Sequence, residues 1–224
     1  MLRYMSIMKN FITLIIVSLT ILSCNGLSKE ELKIHNQKVS LGIQKKKSDL
    51  NGMLSRIGKQ SEELEKKLKK VSSFRLGRSK AKKQQQIAEV KQEIKALAAY
   101  KNRVVQLKKE LDTKHEAYDF QDDPQEVVEN IFTSAKNNDF KTLLWLADPY
   151  DENDRDVDGL SYTQTLSPSQ KKVFANTFKK GKVVGEPIID STTAKVNFLY
   201  GYKGNIKKTM NLVKRNQNWY LASF

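Results

Sequence analysis

Side chains able to do chemistry are few in this 224-residue chain, and they are unevenly placed. There is one cysteine, Cys24, and both histidines, His35 and His115, fall before residue 120. Residues 120–224 hold neither imidazole nor thiol. That excludes from them the usual histidine acid–base relay, cysteine nucleophiles and typical zinc sites. Asp190, Tyr162, Tyr200 and Tyr202 are what remains for acid–base work there. Asp190 sits beside Ser191-Thr192 and reads as a turn residue, so no catalytic residue is assigned and no cofactor is expected. Trp145, Phe198, Tyr200 and Trp219 could line an apolar ligand pocket, although such aromatics are more often plain core.

Two charged groupings carry further options. Asp154, Asp156 and Asp158, followed by Gly159, have the spacing that opens a calcium-binding loop. Thr165 stands where the bidentate Glu should be, and Tyr162 occupies another ligand position. A solvated acidic loop is therefore expected, with weak calcium binding helped by Asp148, Asp151 or Glu152 as the alternative. Lys45-Lys46-Lys47 and Lys82-Lys83 are candidate contacts for a polyanion.

Cys24 closes an apolar run from Phe11 to Leu22 that follows Arg3 and Lys9. The run is twelve residues, about 18 Å as a helix, whereas a bilayer core needs roughly 30 Å. It reads as the apolar region of an export signal and not as a membrane-spanning helix. Its end, Ile21-Leu22-Ser23-Cys24, resembles the lipobox of bacterial lipoproteins, with Ile21 and Leu22 departing from its strictest form. The resemblance implies a signal peptide over 1–23, diacylglyceryl on the Cys24 sulfur, and a lipidated tether over 24–28. An unpaired thiol in an exported chain needs such an explanation, and two or more acyl chains give stable attachment. Asn25 is not the Asp that retains many such proteins at an inner membrane, so outer-membrane or surface placement is expected.

Charge divides the remainder. Residues 28–119 hold 24 Lys/Arg against 12 Asp/Glu, whereas residues 120–224 hold 14 against 13. The basic part reads as two long helices over 29–119. Leu50, Leu54, Ile57, Ser61, Leu64, Leu68 and Val71 form a heptad seam. An earlier seam of Leu32, Asn36, Val39 and Ile43 runs in another phase, which implies a stutter near Leu50. Turn-forming residues at 72–79 precede a second seam, Ile87, Val90, Ile94, Leu97, Lys101, Val104, Lys108, Leu111, His115 and Tyr118. An antiparallel hairpin follows, in which Gly42, Gly52 and Gly58 each cost about 1 kcal/mol relative to Ala. The rod is either a stalk with solvated lysines or a strip for acidic polysaccharide or anionic lipid. Nucleic acid is disfavoured because Phe74, Tyr100 and Tyr118 are too few for a stacking platform. Imperfect seams also leave a homo-oligomeric bundle open.

Residues 122–224 have an α+β pattern. Asp123 reads as an N-cap and Pro124 as the first helical residue; short helices follow over 140–147 and 168–181. Period-2 patterning then gives strands over 183–189, 194–202, 206–214 and 219–224. Pro124-Gln125-Glu126-Val127-Val128, Asn138-Asp139-Phe140 and Asn218-Trp219-Tyr220-Leu221 carry a resemblance to the nuclear-transport-factor-2-like superfamily, shared with ketosteroid isomerases. The resemblance implies three helices packed on a curved antiparallel sheet with an apolar pocket between them. Fold alone does not give function. The expectation is a lipid-anchored envelope protein with a non-catalytic binding or assembly domain on a coiled-coil stalk. Alternatives are a surface adhesin and a small-ligand or isomerase-like domain.

Overall fold

A computed structural model describes residues 27–73, 80–113 and 116–224. The expected signal peptide (1–23), Cys24, most of the turn expected at 72–79 and His115 lie outside the described residues. The chain divides into two units, Met1–His35 and Asn36–Phe224. Helix α1 (Lys29–Ser73) opens with a reciprocal cap: Glu31 donates its backbone N–H to the Ser28 hydroxyl, and its carboxylate accepts from the Ser28 N–H at 2.8 Å.

Helix α2 (Lys80–Glu110) runs antiparallel to α1. Their bonded partners come in opposite order: Ser72 with Lys83, Lys67 with Glu93, Asn51 with Lys108, and Lys47 with Asp112. The expected α1 seam from Leu50 to Val71 is buried or half-buried throughout. Upstream the phase shift near Leu50 is present, but Leu32 and Asn36 are exposed and the inward positions are Gly42, Lys46 and Leu50. In α2 the expected seam also needs correcting. Tyr100 and Leu107 turn inward where Lys101 and Lys108 were expected, leaving Lys101 exposed and the Lys108 ammonium bonded to Asn51. Rotating the helix by one position keeps both charges out of the apolar contact.

The C-terminal half begins with a 3₁₀ turn (Asp119–Asp122) and α3 (Pro124–Asn137). Asp123 caps α3 by accepting from the Gln125 N–H at 2.7 Å, and Asn138 ends it in the left-handed region. α4 is a single turn (Leu143–Leu146). The expected acidic loop is instead a helix, α5 (Arg155–Ser161), because Asp154 caps it at the Val157 N–H and Val157 and Leu160 are buried. A 3₁₀ turn (Thr163–Thr165) precedes α6 (Pro168–Phe178), which starts with a Ser167/Gln170 capping box.

The sheet is antiparallel and not closed. β1 (Lys182–Val183) and β2 (Ile188–Asp190) share one edge of β3 (Thr193–Tyr200), followed by β4 (Ile206–Arg215) and β5 (Asn218–Ser223). The single strand expected over 183–189 is thus two pieces, separated around Gly185 at φ +75° and Pro187, which has no N–H to offer a ladder. Ala194, Val196 and Phe198 alternate inward as the period-2 pattern requires. β5's other edge is covered by residues 147–154: the Asp148 and Asp154 N–H groups donate to the carbonyls of Leu221 and Ala222. Covering an edge removes a template for unwanted pairing. Among the described residues no helix is long and apolar enough to cross a membrane.

Two apolar clusters result. The larger lies between the sheet and α3, α5 and α6. The smaller joins Leu50 and Ile57 of α1 to Val104, Leu107 and Leu111 from α2 and the residue after it. α4 belongs to both, with Leu143 and Leu146 in the larger and Leu144 and Trp145 in the smaller. The helix pair is therefore packed onto the α+β half. The approach is tight at Gly42, where an added Cβ would lie 2.1 Å from the Pro149 carbonyl oxygen, whereas one at Gly58 would meet nothing within 4 Å. Gly58→Ala should accordingly raise stability by about 0.5–1 kcal/mol through helix propensity. Gly42→Ala should lower it despite the same propensity gain; urea unfolding of the two variants checks both.

Candidate functional site

Where α1 meets the segment after α4, the chain builds a clasp of paired charges. Asp148 is fully buried, and it folds its own segment by accepting from the Tyr150 N–H at 3.1 Å. The Asp151 N–H donates to the Asp148 carbonyl, and Asp151 takes φ +59°, a conformation Asp tolerates better than most residues. That backbone turns the Asp151 carboxylate onto α1. There Lys46 lies 2.6 Å from one oxygen and Lys45 2.8 Å from the other. The Lys46 and Asp151 side chains are only 6% and 5% exposed, so this is a buried pair, whereas Lys45 is mostly in water. Burial alone would raise the Asp151 pKa; the hydrogen bonds from Lys45 and Lys46 outweigh it and hold the carboxyl below the ordinary value.

Arg215, the last residue of β4, completes the arrangement. Its Nε and Nη2 donate to the two Asp148 oxygens at 3.1 and 2.6 Å, and Nη2 also reaches Glu152 at 2.8 Å. The guanidinium lies 4.3 Å from the Tyr150 ring centroid, and Lys38 approaches the same ring at 5.0 Å. Tyr220 lies near Asp148 and Tyr150, and burial pushes its phenol up to about 12. Behind Asp151, Asp158 accepts from Asn153 at 2.7 Å, and burial raises its pKa. The Tyr162 hydroxyl and Asn153 Oδ1 are buried without a hydrogen-bond partner among the described residues.

Further along α1, a groove of about 720 Å³ runs between the helix pair and the start of α6. Leu64, Leu97, Tyr100 and Leu166 supply its apolar surface. Lys67 and Glu93 pair across it at 3.3 Å, and Arg103 donates from Nε to the Thr165 carbonyl at 2.8 Å. The groove has a mixed lining, in which Lys67, Glu93 and Arg103 are engaged in structural contacts. Nothing in this arrangement pairs a nucleophile with a base.

The aromatic candidates separate. Phe198 and Tyr200 are neighbours at 5.4 Å, and Trp219 lies in the same cluster, but Trp145 packs with the helix pair. Between sheet and helices, Phe132, Phe174, Phe178, Phe198, Tyr200 and Phe224 pack ring against ring at 4.7–6.4 Å. Asp190 ends β2 before a left-handed Ser191, as a turn residue should. Asp154, Asp156 and Asp158 do not converge: Asp154 caps α5, Asp156 is exposed, and Asp158 is held by Asn153. Among the described residues no group of His, Cys, Asp and Glu has a metal-binding arrangement. Lys45, Lys46 and Lys47 are all committed to carboxylates, Lys47 to Asp112 at 2.5 Å, while Lys83 donates to the Ser72 carbonyl and Lys82 is exposed.

Nothing in the local sequence pattern pointed to Asp151 as the partner of Lys45 and Lys46 on α1, or to the Asp148–Arg215 pair that holds its segment. The available signal was the 42–46–50 spacing, which places a glycine and a lysine on the face that carries Leu50. Comparison with family models, curated proteins and solved structures returns no match.

Because the folded Asp151 pKa lies below its ordinary 3.8, the pair's stabilisation is complete above that value. It is lost as pH falls through the lower folded value. Asp151→Ala should cost about 3–5 kcal/mol at pH 7 by leaving Lys46 buried without its counter-charge. Urea midpoints measured from pH 7 to pH 3 should show the gap from wild type narrowing below the ordinary Asp value.

Proposed function

We propose that this chain is an exported bacterial lipoprotein, held to an envelope membrane through Cys24. Residues 36–224 would act as a non-catalytic binding or assembly module, with the outer membrane or cell surface as their place. The anchor rests on the apolar run that ends in Ile21-Leu22-Ser23-Cys24 and on Cys24 being the only cysteine. One structural observation carries the module reading. The space between sheet and helices, where a ligand- or isomerase-type site would need a wet cavity with an acid or tyrosines, is packed ring against ring. The order of helices before antiparallel strands supports the likeness of residues 122–224 to nuclear-transport-factor-2-like domains.

The packing of α1 and α2 onto Leu144, Trp145 and Tyr162 refines the stalk idea. The helices form part of the module's working surface and are not merely a spacer. Lipidation is checked by intact-mass spectrometry of the protein extracted from a diderm host. The expected species lacks residues 1–23 and carries acyl chains on Cys24, and Cys24→Ser should move the protein from the detergent phase to the aqueous phase. An unmodified thiol or a retained leader would refute the anchor.

A further inference from the structure

The antiparallel arrangement brings the end of α1 and the start of α2 together, and their lysines with them. From Lys66 to Ala88 the sequence holds no Asp or Glu. Within that stretch the described residues include Lys66, Lys67, Lys69 and Lys70 on α1 and Lys80, Lys82 and Lys83 on α2. The Lys83 bond to the Ser72 carbonyl, 2.7 Å, places the start of α2 beside the end of α1. Glu62, Glu63 and Glu65 precede this stretch on α1, and on α2 the two nearest acids are already engaged. Glu93 pairs with Lys67, and Glu89 accepts from the Gln85 amide at 2.9 Å. Lys66, Lys69, Lys70 and Lys80 are exposed, and among the described residues none has a carboxylate partner. This contrasts with the Lys45–Lys47 triplet, whose charges are all neutralised within the fold.

The lysines on α2 also stand where a helix least favours them. The positive end of the helix dipole lies at Lys80, and the first turn contains no acid to offset it. Charge concentrated against its own stability is relieved by an external anion. Lys66, Lys69 and Lys70 follow one another along α1 within roughly 6 Å of helical rise, beside a second helix about 8–10 Å away. That spread suits a polymer with repeated negative groups better than one isolated ion. Leu68, Val71 and Ile87 turn into the seam, and no large apolar side chain among the described residues of this end is exposed for insertion into a bilayer.

We propose that this lysine-bearing end of the helix pair (Lys66, Lys69, Lys70 and Lys80) is a binding surface for an acidic polysaccharide. The proposal rests on the binding-module reading above and names its partner. It does not depend on the lipid, so the two fail separately: a bare thiol at Cys24 leaves heparin binding unchanged, and absent heparin binding leaves the acyl mass unchanged.

The test uses the full chain in mild detergent, with heparin as the probe and neutral dextran as the blank. Replacing Lys66, Lys69, Lys70 and Lys80 together by Gln should weaken apparent affinity at least about tenfold and lower the eluting salt concentration. A charge-matched control, with Lys95, Lys101, Lys195 and Lys207 replaced by Gln, should stay within about twofold of wild type. Lys80→Glu adds a readout that misfolding cannot imitate: binding should fall while the melting temperature holds or rises, because an acid suits a helix N-terminus. Three results would overturn the proposal: equal losses in the two quadruple variants, undiminished binding by the first, or wild-type binding to phosphatidylglycerol vesicles but not to heparin.

Discussion

An ammonium and a carboxylate taken out of water must meet, or the fold loses several kcal/mol. Lys46 and Asp151 are under that constraint, and much of residues 36–224 is arranged to satisfy it. Gly42 lets α1 come against the Pro149 carbonyl, Asp151 accepts a left-handed backbone, and Arg215 holds the segment by way of Asp148. A buried pair of this kind adds less net stability than its distance suggests, because desolvation consumes much of the Coulombic gain. Its effect here is on register. Sliding α1 by one turn would replace Lys46 with another seam residue and strand Asp151 without its buried counter-charge.

Apolar packing and the clasp act on the same joint. α4 is only four residues long, yet it contributes leucines to both clusters. Disturbing either cluster is felt by the other through one turn of helix. The groove lined by Leu64, Leu97, Tyr100 and Leu166 exists only because α1 and α2 are held there. Fixing the root of the helix pair in this way leaves its lysine-bearing end projecting a defined arrangement of charge. The interior between sheet and helices is occupied by phenyl rings, and the Lys46–Asp151 and Asp148–Arg215 charges are paired.

Much of the architecture was legible in the residues. The Leu50–Val71 heptad, the Asp123-Pro124 helix start and the alternation of Ala194, Val196 and Phe198 each state a local rule that the fold obeys. Errors arose where a local pattern met a tertiary demand. Lys101 and Lys108 continued a periodic count, but solvation of their charges rotated α2 toward Tyr100 and Leu107. Asp154 to Gly159 read as a solvated acidic loop because the count of acids hid Val157 and Leu160, which pull the segment into the core as a helix. The clasp was harder to see. Lys46 and Asp151 are 105 positions apart, and only the unusual presence of Gly and Lys on a seam hinted at a partner.

Whether the helix pair and the α+β half behave as one body can be measured directly by native-state amide hydrogen exchange. If the joint is as described, amides of α1 near Leu50–Ile57 and of α2 near Val104–Leu107 should open with the same free energy as those of β3 and β4. Exchange in the helices several kcal/mol easier than in the sheet, with Asp151→Ala making no difference, would contradict it.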